Sequence, residues 1–247
     1  MAGELIVSVP GPWEDDADLR RRIINVEPEG RYLYAGRLLT DLVEKDQVGL
    51  ELFEADPELP AAFDVAGQRR LPQKLIDELA RHRAVACLRF PPALPEEIGL
   101  VRRYSLVLQG AGGMAIKVES AGIAHTWERW SALTSGTAFD LYCAMVVLVG
   151  DTDQYFSCGM HHYGLPECAV PRSLPSSEAA EVMNHFNAWR IIEQPLLEDG
   201  HTFSLSEAGT RYRMTLEADT RHDADDLFHN SHGVWCLSAD EAGPTLH

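Results

Sequence analysis

Apolar and polar positions along the 247-residue chain change period several times, and each change predicts an element. Leu5–Val9 reads as a buried strand that stops at Pro10-Gly11-Pro12. Asp16 or Asp18 is placed to cap a helix with Leu19, Ile23 and Ile24 on one face. Val48–Phe53 and Val85–Phe90 have strand character, and Ala115–Glu119 follows a turn at Gly110–Gly113. Helical spacing is expected after Asp56-Pro57, again from Leu71 to His82, from Glu96 to Leu108, and from Trp127 to Leu133. In the second half, Leu141–Val149 and Gln154–Cys158 are expected to pair around a turn at Gly150–Asp153. Cys168–Val170 is a further strand. Ser176 or Ser177 is then expected to cap an amphipathic helix carrying Ala179, Val182, Phe186 and Trp189. Tyr212, Met214 and Leu216 alternate with polar residues as in a half-buried strand, and Val234–Leu237 is the last one.

Strands and helices alternate without a βαβ rhythm, and hairpins are mixed in. The expected fold class is therefore α+β, with mixed or antiparallel sheets flanked by helices. The stretch Ser131–Thr137 is the expected joint between two small halves, residues 1–135 and 136–247.

Composition changes this picture mainly through charge. The chain carries 21 Lys and Arg against 38 Asp and Glu, a net charge of −17. Residues 1–60 hold 14 acidic and 6 basic groups, residues 61–135 hold 7 and 10, and residues 136–247 hold 17 and 5. Such a surface repels phosphate backbones and anionic lipid and favours cationic partners, so direct nucleic-acid and membrane binding are not expected. No apolar stretch approaches the roughly 18 to 20 residues that span a bilayer. The first residues lack a basic n-region, and the five scattered cysteines suit a reducing compartment, so the expected location is the cytoplasm.

Two acidic clusters stand out. Glu14, Asp15, Asp16 and Asp18 are either partner-binding or helix-start acids that complement the dipole. Glu217, Asp219, Asp223, Asp225 and Asp226 are expected to bind a partner, against the plainer reading of a solvated loop. The second run lacks the glycine and glutamate that a calcium loop requires. Asp151 and Asp153 read as hairpin aspartates rather than metal ligands, and Gly110–Gly113 lies on the wrong side of a helix to cradle phosphate.

Eight of the ten histidines follow residue 136, and Cys158, His161 and His162 lie together. They support an alternative reading, a metal-assisted or thiol-dependent enzyme with His201 or His229 brought nearby. No second close ligand pair at zinc spacing accompanies them, so neither metal nor cofactor is expected.

Several phrases carry a resemblance. They are Val7–Trp13, Ala115–Gly122 with His125–Trp130, Cys158–Glu167, Glu198–Phe203 and Asp226–Trp235. Together they resemble a bacterial family of uncharacterised and immunity proteins, in particular TsiT-like proteins that protect against restriction-endonuclease-fold DNases of polymorphic and type VI secretion systems. The resemblance implies a non-catalytic cytoplasmic inhibitor that neutralises a basic toxin. The glycines and aromatics of these phrases, Trp13, Gly122, Trp127, Trp130, Gly159, Gly164 and Trp235, are expected to specify turns and core rather than the partner contact.

Overall fold

The computed structural model describes residues 4–27 and 29–240. The fold is α+β, and the chain divides into two compact units, Glu4–Met145 and a second that begins at Val146. The expected joint at Ser131–Thr137 instead links two helices inside the first unit.

The first unit is built on a seven-stranded sheet of order β2-β3-β4-β5-β1-β6-β7, antiparallel throughout. Its strands are β1 (Leu5–Gly11), β2 (Tyr32–Ala35), β3 (Leu38–Asp41), β4 (Asp46–Glu54), β5 (Ala84–Phe90), β6 (Ile116–Val118) and β7 (Ile123–His125). Leu5, Val7 and Val9 stand opposite Phe90, Leu88 and Ala86, and all six are buried. Helices α1 (Asp16–Ile24) and α4 (Ile98–Gly110) pack together, with α4 also against β1 and β5. Helices α2 (Leu59–Ala66) and α3 (Gln73–Leu79) pack Phe63 and Leu79 against Val85, Ala115 and Ala124. Three tryptophans of this unit are tied to the backbone or to a buried serine, Trp13 and Trp130 within the core and Trp127 at its margin. The indole N–H of Trp13 donates to the Ala111 carbonyl at 2.8 Å, that of Trp127 to the Gly113 carbonyl at 2.8 Å, and that of Trp130 to Ser105 at 3.0 Å. A buried indole needs such a partner, because an unmet N–H would cost its desolvation.

Three expectations are corrected here. Residues 141–145 are not strand but the end of α6 (Ala138–Met145), which follows α5 (Trp127–Thr134). A short apolar run has no period to distinguish strand from helix. The deciding signal is a reciprocal cap, in which Thr137 Oγ1 accepts from the Asp140 N–H at 3.2 Å and Asp140 accepts from the Thr137 N–H at 2.8 Å. The cap of α1 is Asp15, which accepts the Asp18 N–H at 2.8 Å, not Asp16 or Asp18. Helix α7 (Ser176–Glu193) starts behind Pro175 with no side-chain cap, so neither Ser176 nor Ser177 serves. Strands β2, β3 and β7 have three or four residues each, too few for their alternation to be read.

The second unit has a six-stranded sheet of order β11-β12-β13-β10-β9-β8. Its strands are β8 (Val147–Gly150), β9 (Gln154–Cys158), β10 (Glu167–Pro171), β11 (Thr202–Phe203), β12 (Tyr212–Glu217) and β13 (Val234–Ala239). Only the β10–β13 ladder is parallel. Ala179, Val182, Met183 and Phe186 of α7 pack on Cys168, Val170, Tyr212, Met214, Trp235 and Leu237. Because side chains alternate across a strand, the opposite face carries Phe156, Ala169, Thr215, Glu217, Cys236 and Ser238. Of the described helices of the second unit, α7 packs on the first of these faces, and the other carries a small cluster of Phe156, Ala169 and Val234 with Cys236 against it. Among the described residues no helix is long and apolar enough to cross a membrane.

Candidate partner-binding surface

The face of the second sheet opposite α7 is closed at one end by the segment 218–233 that joins β12 to β13. The Arg221 guanidinium lies over the Phe156 ring, 4.4 Å from its centroid. Its Nε donates to Asp219 at 2.9 Å, and the backbone N–H groups of Arg221 and Asn230 reach the same carboxylate at 3.2 and 3.0 Å. Burial alone would raise the Asp219 pKa, but the Arg221 and Asn230 bonds outweigh it and hold the group below the ordinary aspartate value. Asn230, also buried, donates to the Leu165 carbonyl at 2.9 Å and to Glu167 at 3.0 Å, and accepts the His232 N–H at 2.9 Å. The return into β13 requires Gly233 at φ +89°, where a Cβ would collide with the Glu217 carbonyl.

The apex is organised by its own backbone. The Asp226 N–H donates to the Asp223 carbonyl at 2.9 Å, and the Asp226 carboxylate accepts the Phe228 N–H at 2.8 Å. Glu217, Asp223, Asp225 and Asp226 are exposed. Among the described residues none of these four is in an ion pair. Glu217 borders two grooves, of about 370 Å³ toward Asn230 and His232 and about 340 Å³ toward Thr215, Cys236 and Asp153. The segment thus presents uncompensated negative charge from a framework anchored by Asp219 and Asn230. Asp219 is the anchor of that framework rather than part of the exposed charge.

The cluster at Glu14, Asp15, Asp16 and Asp18 lies in the first unit, and every member has an internal partner. Asp15 is the helix cap. Asp18 is buried, accepts from Arg21 at 2.9 Å, Arg22 at 3.2 Å and the Glu14 N–H at 3.3 Å, and is held below the ordinary aspartate pKa chiefly by Arg21. Asp16 accepts from the Tyr34 hydroxyl at 2.7 Å, and Glu14 pairs with Arg83 at 2.6 Å.

Cys158, His161 and His162 are brought together, but around a residue the sequence pattern did not single out. Glu167, 1% exposed, accepts from Ser157 at 2.7 Å, from the N–H groups of Gly159 and Met160 at 3.1 and 2.9 Å, and from Asn230. His161 Nδ1 lies 3.4 Å from the same carboxylate. Four donors on one buried carboxylate, with the His161 ring beside it, fix the 3₁₀ turn at Met160–Tyr163, which Gly159 enters at φ +122°. A lone glutamate beginning the apolar run Cys168–Val170 was the available signal. Burial, reinforced by Glu167, pushes the Cys158 thiol well up, and burial next to His161 pushes His162 well down. Both groups are held neutral at pH 7, whereas a thiol nucleophile needs the thiolate. His201 Nδ1 instead accepts the Glu198 N–H at 3.3 Å, and His229 Nδ1 lies 3.2 Å from the His222 carbonyl. Among the described residues no group of three or more His, Cys, Asp or Glu side chains is placed to hold a metal ion.

No family model, curated protein or solved structure matches the chain.

Proposed function

We propose that the protein is a non-catalytic immunity protein that binds and neutralises a cognate secreted antibacterial toxin, a basic nuclease, in the cytoplasm of the producing cell. The observation that carries this reading is the preorganised segment 219–230, which holds Asp223, Asp225 and Asp226 exposed beside Glu217 with no internal cation. A nuclease must offer a basic face to its substrate, and rigid acidic loops are steered to such a face by long-range attraction. The sequence blocks that resemble immunity proteins supply the class of partner.

The test is co-expression with the secreted product of the adjacent gene. Complex formation and rescue of growth are expected, with an association rate that falls as salt rises. Reversing Asp223, Asp225 and Asp226 to lysine should slow association by about 10- to 100-fold at low salt. Protection that survives this triple reversal would place the interface elsewhere. A neighbouring product that neither binds nor kills would remove the immunity reading.

A further inference from the structure

Two buried carboxylates of the second unit, Glu167 and Asp219, are joined through a single residue, Asn230. Glu167 opens β10, and its own N–H donates to the Gly233 carbonyl at 2.9 Å. Its Oε1 accepts from the Met160 N–H at 2.9 Å, the Asn230 side-chain amide at 3.0 Å and the Gly159 N–H at 3.1 Å. Its Oε2 accepts from the Ser157 hydroxyl at 2.7 Å, which in turn accepts the Cys168 N–H at 2.9 Å. Asn230 gives its backbone N–H to Asp219 at 3.0 Å, donates to the Leu165 carbonyl at 2.9 Å and accepts the His232 N–H at 2.9 Å. Ser157, Met160, Glu167, Asp219 and Asn230 are all buried, at 7% exposure or less.

Glu167 therefore stands between two loops. On one side is the turn after β9, closed by the Gly164 N–H on the His161 carbonyl at 3.1 Å and the Leu165 N–H on the Met160 carbonyl at 3.2 Å. On the other is the apex of the acidic segment, closed by the Asp226, Phe228 and His229 N–H groups at 2.8 to 3.2 Å. The exposed acids of the apex repel one another, so its shape depends on how its ends are tied. Those ties to β9 and β10 are Arg221 over Phe156 and Asn230 on Leu165 and Glu167. A buried carboxylate that loses one donor cannot replace it with water without opening, so bonds sharing it break together.

We infer that Glu167 is a positioning residue for the acidic segment: through Asn230 it makes the turn 159–165 and the apex 223–229 open and close as one cooperative unit. Glu167 is hydrogen-bonded to none of the exposed acids and acts on them through that link. For its consequence on toxin binding the inference rests on the proposed function. The coupling itself is a property of the protein without a partner.

The experiment is native-state hydrogen exchange on the full-length ¹⁵N-labelled protein alone. In the unsubstituted chain the amides of Gly164 and Leu165 and those of Asp226, Phe228 and His229 should open with equilibrium constants equal to within about twofold. Asn230→Ala cuts the link, so the apex amides should exchange about tenfold or more faster relative to the turn, with the ladder amides of β12 and β13 unchanged. Glu167→Ala should release turn and apex together. Glu167→Gln keeps an oxygen for the Asn230, Gly159 and Met160 donors and should hold apex exchange to within about threefold of the unsubstituted chain. Unequal opening in the unsubstituted chain, apex exchange that Asn230→Ala leaves unchanged, equal acceleration of β12 and β13, or Glu167→Gln as disruptive as Glu167→Ala would overturn the inference. Under the proposed function, Asn230→Ala should also slow association with the product of the adjacent gene. A loosened apex with an unchanged association rate would support the positioning role and remove the acidic segment from the toxin interface.

Discussion

The two acidic clusters are met differently, although the first unit also has exposed acids, such as Glu54, Asp56 and Glu58, that are in no ion pair among the described residues. In the first unit, Asp18 is met by Arg21 and Arg22, Asp41 by Arg31 and Arg103, and Glu51 by Arg37 and Arg89. Asp41 is the extreme case. It is fully buried, bonded bidentately to Arg31 at 2.6–3.0 Å, and accepts the N–H groups of Val43 and Glu44. In the second unit, with sixteen acidic and five basic residues, Arg221 and Arg213 are paired to Asp219 and Asp240 while the apex acids have no cation. Net charge therefore says less than pairing does. A matched acid maintains the fold, and an unmatched exposed one is free to meet something else.

The largest effect should come from removing a matched acid. Asp41→Ala would strand Arg31 and Arg103 beside a buried void and should cost about 3 kcal/mol, read from the urea midpoint. The same change at Asp223 should stay within about 0.5 kcal/mol. Equal losses at the two positions would erase the distinction between matched and unmatched acids.

Acid should act next. His125 is buried, its Nε2 lies 2.9 Å from the Ala144 carbonyl, and burial lowers its pKa to about 4. Unfolded histidine takes up its proton near pH 6.5 while the folded ring stays neutral. The unfolded state therefore binds more protons in that window. The contribution is complete above pH 6.5 and is lost as pH falls from 6.5 toward 4, by about 3 kcal/mol at most. His162 shifts in the same direction in the second unit. His125→Gln, which keeps a donor for Ala144, should flatten only the first unit's share of the pH dependence. Separate tryptophan probes in the two units would resolve it.

The smallest effect belongs to the helix start. Asp15→Ala removes the α1 cap and should cost about 1 kcal/mol by thermal denaturation, without changing any binding by the second unit. A loss of binding on this substitution would return the first cluster to consideration as a contact surface.

The long periodic elements were legible in the sequence. Helix α7 showed its stripe through Ala179, Val182 and Phe186, and β12 showed its alternation through Tyr212 and Met214, because burying one face imposes a period. The concentration of acid at both ends of the chain was equally plain. Tertiary structure decided the rest. Whether Asp18 and Asp219 are exposed or buried depends on Arg21, Arg22, Arg221 and Asn230, whose positions follow from folding rather than spacing. Glu167 became the centre of the Cys158–His162 turn because β10 carries it under Ser157 and Asn230, up to 63 residues apart in sequence. Composition counts charges along a line. Only the folded chain sets each one beside its neighbour, and for a carboxylate the neighbour determines whether it stabilises the fold or remains available to a partner.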